Sequence, residues 1–433
     1  MEEVEHLGSA NRRVYRAVTA AAVGTIVEWY DFILYGAASA VIFNHLFFPQ
    51  FDPVAGTMAA FAGYAVGFLV RPVGGIVFGR LGDRIGRKPV LLLTLAMMGA
   101  ATVGIGLLPT YQSIGLWAPS LLVGLRVIQG MGAGAEYGGA VLVAAESTRD
   151  RRGLFAALPG AGVDVSLVMA TGVLALFTLM PEDQFLAWGW RVPFLLSSIV
   201  LIVGLWIRRQ LPETQEFTQA KTTTAEPARP VGELLRNNKS ELLVAMGINL
   251  TPSLSYIFQI FALSYAVNQL GLPRPVILVG VMVSGVLGAA ATVFFGWFSD
   301  RVGRRKVMFA GAIFVFLFAV PFFVLLRTAI PIVVCLAVVV GHLGERAVFA
   351  AQASFYSELF PVRSRYTGIA LSREITGAFI AGPLPLVATA LVPLAHGPWS
   401  IACIVMVMSG LTIVALFFAP RPMSPSVATA VRA

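Results

Sequence analysis

The sequence predicts an all-α polytopic membrane protein, with twelve transmembrane helices in two pseudo-symmetric six-helix bundles. Three observations carry this. The 433 residues are 57% hydrophobic and only 12% charged, whereas soluble domains carry about 25% charged residues. The apolar residues gather in runs near the roughly 20 residues that a helix needs to cross a bilayer. One basic stretch also occurs twice, about half a chain apart. It reads Phe78-Gly79-Arg80-Leu81-Gly82-Asp83-Arg84-Ile85-Gly86-Arg87-Lys88-Pro89-Val90 and again Phe295-Gly296-Trp297-Phe298-Ser299-Asp300-Arg301-Val302-Gly303-Arg304-Arg305-Lys306-Val307. Each copy lies between two apolar runs and forms a tight cationic hairpin between helices. Basic loops alone would explain the arginines but not the matched glycines, the aspartate or the repetition. Duplicated halves are a common construction of secondary transporters.

Taken in order, the spans fall at roughly 18–43, 57–80, 89–109, 117–146, 153–179, 188–208, 241–269, 275–298, 307–327, 330–358, 365–392 and 398–419. Six lie on each side of a polar segment holding Lys221-Thr222-Thr223-Thr224, Pro227 and Pro230, which reads as a linker. The expected domains are therefore 1–208, a linker 209–240, and 241–433 with a short tail. A second echo supports duplication: Glu146 precedes Arg149, Arg151, Arg152 and Gly153, and Glu358 precedes Arg363, Arg365 and Gly368. The acidic start Met1-Glu2-Glu3, with no cleavage site after the first apolar run, predicts no signal peptide.

The placement of Lys and Arg sets the expected orientation. One side holds Arg12, Arg13, Arg16, the hairpin cations of both copies, Arg149, Arg151, Arg152, Arg208, Arg209, Lys221, Arg229, Arg236, Lys239, Arg363, Arg365, Arg421 and Arg432. The opposite loops hold only Arg191, Arg274 and Arg327. Both termini are therefore expected in the cytoplasm, in a multi-pass protein of the cell membrane. The net charge of +9 thus marks topology rather than nucleic-acid binding. Cys335 and Cys403 sit inside apolar runs and read as buried small hydrophobes, with no metal or disulfide spacing.

A charge at the bilayer centre costs about 2.5–3.5 kcal/mol on insertion scales and normally faces a cavity or a partner. The expected spans nevertheless hold Glu28, Asp31, Glu136, Asp164, Glu345 and Glu374 together with Arg71, Arg126, Arg346 and Arg373. That is too many for a passive scaffold. Glu28, Asp31 and Tyr35 share a helix face. Asp31 lies roughly 20 Å in from the cytoplasmic end at about 1.5 Å per residue. It reads either as half of a structural ion pair or as a carboxylate that exchanges a proton. Arg126 and Tyr137 share a face on the fourth span, with Gln129 and Glu136 on a nearby one, and the glycines between them permit close helix approach. Asp164, midway along the fifth span, is a coupling site or an interhelical partner. Asn249, Tyr256 and Gln259 are candidate cavity residues beside Pro252, which is expected to break the seventh span. Tyr30, Tyr35, Tyr64 and Tyr137 line a cavity or pack. His342 reads as a packed histidine.

The hairpin pattern G-x-L-G-D-R-I-G-R-K resembles the loop between the second and third helices of the major facilitator superfamily, and its second copy resembles the loop between the eighth and ninth. The fourth-span pattern R-x-x-Q-G-x-G-A-G resembles that of proton-coupled members. The resemblance implies that Arg126 faces the cavity and works with Asp31 or Glu28. Glu28-Trp29-Tyr30-Asp31-Phe32, Phe68-Leu69-Val70-Arg71-Pro72, Gly134-Ala135-Glu136-Tyr137-Gly138-Gly139, Gly189-Trp190-Arg191-Val192-Pro193-Phe194 and Glu358-Leu359-Phe360-Pro361 with Arg365-Tyr366-Thr367-Gly368 are similar to the metabolite:proton symporter branch. That branch implies uptake of 2-oxoglutarate, citrate, shikimate, or proline and betaine with protons. The chain departs from it at Gly344-Glu345-Arg346 and Ser372-Arg373-Glu374, where mostly neutral residues are expected. These four charges could cross-pair, Glu345 with Arg373 and Arg346 with Glu374, or leave an arginine to hold an anion bidentately.

The expected function is proton-coupled uptake of a small organic carboxylate by alternating access. The proton-coupling candidates are Glu28, Asp31, Glu136 and Asp164. The substrate candidates are Arg126, Arg71, Arg346, Arg373, Tyr30, Tyr35, Gln129, Tyr137, Tyr256 and Gln259. Gly79, Asp83, Arg84, Arg87, Asp300, Arg301 and Arg304 are candidates for a conformational switch, with each aspartate offset by an arginine of its loop or by a helix N-terminus of its own bundle. Expected partners are a carboxylate or zwitterionic metabolite, protons and the lipid bilayer, with no nucleic acid, and the protein is expected to be a monomer. No metal or nucleotide cofactor is implied, and no G-x-x-x-x-G-K-[ST] phosphate loop is present. The rivals are an osmolyte symporter, a drug/proton antiporter, a sensor or channel, and a membrane enzyme. Leu158-Pro159-Gly160-Ala161-Gly162 lacks the G-P-rich antiporter pattern, no signalling domain is evident, and no nucleophile or Cys/His constellation supports an enzyme.

Overall fold

A computed structural model describes residues 2–134, 151–210, 230–361, 364–394 and 397–420. The expected Glu136 and Tyr137 lie outside the described residues, as do the side chains of Asp83 and Arg87. Among the described residues every regular element is helical. Nine helices among the described residues are long and apolar enough to cross a membrane, ten if a bent pair is counted as one span. The first helix, Glu2–Val41, and the fourth, Trp117–Ala133, complete the twelve. Large apolar side chains such as Leu176, Leu317, Phe379 and Phe417 are left exposed around the outside, as a protein surface solvated by lipid tails requires.

Local chemistry sets several helix limits. The second span starts at Pro53, and the Asp52 carboxylate accepts from Val54 N (3.0 Å) and Ala55 N (3.1 Å). That cap satisfies two of the free N–H groups of the first turn. The helix breaks after Leu69 and restarts at Arg71, because Pro72 lacks the N–H that would continue the ladder. Both basic hairpins turn on a glycine with φ 104°, Gly86 and Gly303. Only glycine adopts that conformation without strain, so the repeated sequence is a repeated backbone turn.

Two further spans are discontinuous. The seventh runs Lys239–Ile248, Leu250–Ser253, a π-turn Tyr256–Phe261 and Ala262–Asn268, broken around Pro252 as expected. The eleventh runs Arg365–Thr376, a π-turn Gly377–Ala381 and Leu384–Leu394. π-Turns inside helices are frequent at functional sites, and interrupted helices in transporters mark the midplane site.

Within the first half, Tyr30 Oη donates to Pro193 O (2.9 Å), Ser166 Oγ to Ile26 O (2.9 Å) and Arg191 to Leu108 O (2.9 Å). Within the second, Tyr356 Oη donates to Ala245 O (2.7 Å) and Thr412 Oγ1 to Gly247 O (2.8 Å). The halves meet most closely where the fifth helix, Arg152–Phe177, lies along the eighth, Arg274–Val302. Small residues permit this. A Cβ on Gly153 would sit 2.5 Å from Gly296 O, and one on Gly285 would sit 3.1 Å from Asp164 O. Without a hydrophobic driving force between helices in lipid, such close contact supplies the packing energy.

Candidate functional site

Between the two halves lies a cavity of about 70 Å³. Its walls come from the first two helices (Trp29, Phe68, Arg71), from the broken seventh (Asn249, Pro252, Ser253, Ser255, Tyr256), from the tenth (Arg346, Phe349) and from the eleventh at its π-turn (Arg373, Glu374, Gly377, Ala381). Three guanidinium groups therefore share the lining with one carboxylate. On the side away from the basic hairpins the halves touch: Asn268 donates to Ala40 O (2.8 Å) and Arg274 pairs with Glu182 (3.1 Å).

Arg71 is 4% exposed and joins acids of both halves. Its Nη2 lies 3.0 Å from Glu28 Oε1 and its Nε 3.2 Å from Glu374 Oε2. Its guanidinium also lies over Phe32, Phe68 and Trp29 at 5.1, 5.5 and 5.8 Å. Tyr256 packs on Phe68 (5.7 Å) and Tyr64 (6.1 Å). Arg373 lies 5.9 Å from the Phe349 ring centre and Arg346 4.1 Å from it.

A second charged cluster adjoins this cavity. Asp164 of the fifth helix, 0% exposed, is 2.9 Å from His342 Nε2 and 3.4 Å from Arg346 Nη1, and accepts from Thr292 Oγ1 at 3.0 Å. His342 Nδ1 is 2.9 Å from Glu345 Oε1, and Glu345 lies 2.7 Å from Arg346 Nη2. Gln259 Nε2 lies 2.8 Å from His342 Nδ1. The cross-pairing of Glu345 with Arg373 and Arg346 with Glu374 does not form. Glu345 reaches its chain neighbour Arg346 first, and Glu374 points across to the restart of the second span at Arg71. His342 is packed as expected, 1% exposed, and in addition bridges two acids. The signal was present in the sequence: His342 and Glu345 are spaced i,i+3 on one helix, which places them on one face.

The remaining candidates divide by position. Arg126, 0% exposed, lies outside the cavity wall. It donates to Gln129 Oε1 (2.8 Å), Tyr64 O (3.3 Å) and Gly63 O (3.4 Å), with Tyr35 and Phe32 over its guanidinium at 4.1 and 4.8 Å. The resemblance implied an Arg126 facing the cavity; three acceptors and three rings, with Tyr64 the third at 5.4 Å, hold it within the first half instead. Gln129 is anchored to Thr102 at 2.6 Å. Tyr30 and Tyr35 are buried in the same half and do not line the cavity, nor does Gln259. Asp31 is buried, 5% exposed.

Asp300 Oδ1 accepts from Gly153 N (2.8 Å) and Oδ2 from Leu154 N (3.0 Å), at the first turn of the fifth helix. The helix N-terminus that serves it belongs to the opposite half rather than to its own, while Arg304 supplies the expected arginine of the same loop. Both hydrogen bonds and the helix dipole favour a negative charge there. Arg304 lies 3.5 Å from Asp300 and also pairs with Glu358. Arg301 lies over Trp297 at 4.0 Å. In the first hairpin Arg84 is exposed, and a Cβ on Gly79 would meet nothing within 4 Å.

The family model of the Major Facilitator Superfamily matches residues 21–373 and 253–432. The chain is 39% identical to the shikimate transporter of Escherichia coli (strain K12) over 394 residues, 89% of this chain and 90% of that one. It is 34% identical to the glycine betaine/proline/ectoine/pipecolic acid transporter OusA of Dickeya dadantii (strain 3937) over 412 residues, 92% of this chain and 81% of that one. A solved structure of the xylose transporter XylE from E. coli, in a partially occluded inward open conformation, superposes with a TM-score of 0.71 over 94% of this chain and 96% of that one, at 16% identity. This likeness supports the twelve-helix fold, and the curated relatives are transporters of metabolites and osmolytes. On these grounds the chain belongs to the major facilitator superfamily, in its metabolite:proton symporter branch.

Proposed function

We propose that this transporter carries a small organic anion of the shikimate kind into the cell together with protons. The observation that supports this best is the central cavity, where Arg71, Arg346 and Arg373 share the wall with the single carboxylate of Glu374. Arg71 is paired with Glu28 and Glu374, and Arg346 with Glu345 and Asp164, so a carboxylate substrate enters by taking over the hydrogen bonds of a resident acid. Ser253, Ser255, Asn249 and Tyr256 offer hydrogen bonds for hydroxyl groups on the same substrate. A carboxylate that replaces Glu374 on Arg71 exchanges one anion for another, so no new charge is desolvated unpaired.

An osmolyte is the second reading, since Trp29, Phe68, Tyr256 and Phe349 resemble an aromatic enclosure for a quaternary ammonium. It is the weaker one, because Arg71 and Arg346 already occupy the faces of Trp29, Phe68 and Phe349. The two halves, 1–208 and 241–433, rock about this cavity around the linker 209–240, and the protein acts as a monomer. The basic hairpins and both termini face the cytoplasm by the positive-inside rule. Reconstitution into liposomes tests the reading. An inward pH gradient should drive accumulation of labelled shikimate, with citrate, 2-oxoglutarate, proline and glycine betaine as competitors. Competition by betaine but not by the anions would replace it with the osmolyte reading.

A further inference from the structure

We propose that Asp164, His342 and Glu345 form the proton-binding site of this transporter, and that Arg346 ties its occupancy to that of the anion cavity. The inference rests on the proton-coupled reading above and gives it an address. Three features of the geometry lead here. His342 holds an acid of each half through its two ring nitrogens, each at 2.9 Å. Both nitrogens donate at once only when the ring is an imidazolium; with a neutral ring, the second nitrogen accepts, either from a protonated acid or from the Gln259 amide, whose Nε2 lies 2.8 Å from Nδ1. The ring thus stands where one proton can pass between acids of the two halves. Glu345 Oε2 is buried and has no hydrogen-bond partner among the described residues, so it is the atom with room for a further proton. Arg346 contacts both acids and also lines the anion cavity.

The surroundings leave few other candidates for the charge balance. The fifth helix contributes Asp164 and the tenth His342, Glu345 and Arg346. The eighth contributes only the neutral Thr292, and the seventh the neutral Gln259 and Tyr256. Across the cavity stand Arg373 and Glu374 of the eleventh helix and Arg71 of the second. With both acids ionised and the imidazole protonated, Asp164, Glu345, His342 and Arg346 sum to zero. When a substrate carboxylate draws the Arg346 guanidinium toward the cavity, the acids lose their cation. A proton arriving at Glu345 Oε2, forming one O–H bond, restores neutrality. Substrate and proton thus favour each other's binding, and this linkage is reciprocal. When the proton leaves, Arg346 returns to Glu345 and Asp164, and the anion loses a donor.

The test uses full-length protein in liposomes with labelled shikimate. Wild type should accumulate it about tenfold per unit of inward pH gradient for one proton per anion. Glu345→Gln and His342→Gln should lose accumulation entirely while keeping substrate counterflow, which needs no net proton movement. Thr292→Val removes only one hydrogen bond from Asp164; it should keep accumulation and shift the pH of half-maximal uptake. If the polar variants fail to fold, that shift still decides. Accumulation by Glu345→Gln or His342→Gln equal to wild type, or an unmoved pH profile in Thr292→Val, overturns the assignment. If wild type itself moves shikimate without protons, the symport reading falls first.

Discussion

Arg71 and Glu374 form an ion pair at 3.2 Å across the interface between the two halves, although 303 positions separate them in the chain. The same guanidinium holds Glu28 on its other edge at 3.0 Å. Arg71→Lys keeps the charge but replaces a planar fork with a single ammonium point, so it serves one acid at a time. Charged hydrogen bonds contribute about 1.5–3 kcal/mol, so shikimate affinity should fall roughly tenfold to a hundredfold. Equilibrium binding to purified protein checks this, and a wild-type dissociation constant would remove Arg71 from the substrate site.

Asp300→Asn should shift the balance between access states without touching the cavity. The carboxylate accepts two N–H groups of the fifth helix, and removing the charge costs about 0.5–2 kcal/mol at such a cap. Labelling of single cysteines placed on the hairpin side should rise several-fold, with binding affinity changed little. Identical labelling rates in mutant and wild type would argue that the cap does not hold the halves together.

Gly153→Ala and Gly79→Ala should behave differently. An alanine at 153 meets Gly296 O at 2.5 Å and Asp300 Oδ1 at 2.7 Å, and backbone cannot yield cheaply. We expect a loss of about 1–3 kcal/mol, seen as a lower melting temperature and weaker crosslinking between the fifth and eighth helices. Alanine at 79 meets open space and should melt like wild type.

Arg126→Met should damage folding rather than recognition. It strips the donor from the buried Gln129 Oε1, at a cost of about 1–3 kcal/mol for a buried group left unmade, and removes the guanidinium that Tyr35 and Phe32 pack on. Yield and melting temperature should drop, while the protein that survives binds shikimate with unchanged affinity. A fully stable variant that no longer binds would return Arg126 to the substrate list.

Much of the fold could be read directly. Apolar runs, the Lys/Arg pattern and the duplicated hairpin each have a local physical cause, and Pro252 announced the broken seventh span. What resisted reading was pairing. Nothing local tells Glu374 to reach Arg71 rather than Arg346, because the choice depends on how the halves face each other. Asp300 shows the same limit: its helix-end position predicted that a partner must exist, but not that Gly153 of the other half supplies it. His342 was readable in part. Its spacing from Glu345 lay in the sequence, whereas Asp164, the third member, arrives only when the fifth helix is docked.

The glycine contacts between the fifth and eighth helices have a mechanical meaning. Two rods in backbone contact from Gly153 to Gly285 act as an axle, which turns easily but cannot be prised apart without losing its packing. The second and eleventh helices meet instead through side chains, Arg71 with Glu374 and Phe68 against Gly382. Side chains yield more cheaply than backbone, so bilayer thickness and lipid composition should act on this carrier more through that edge than through the backbone-locked one.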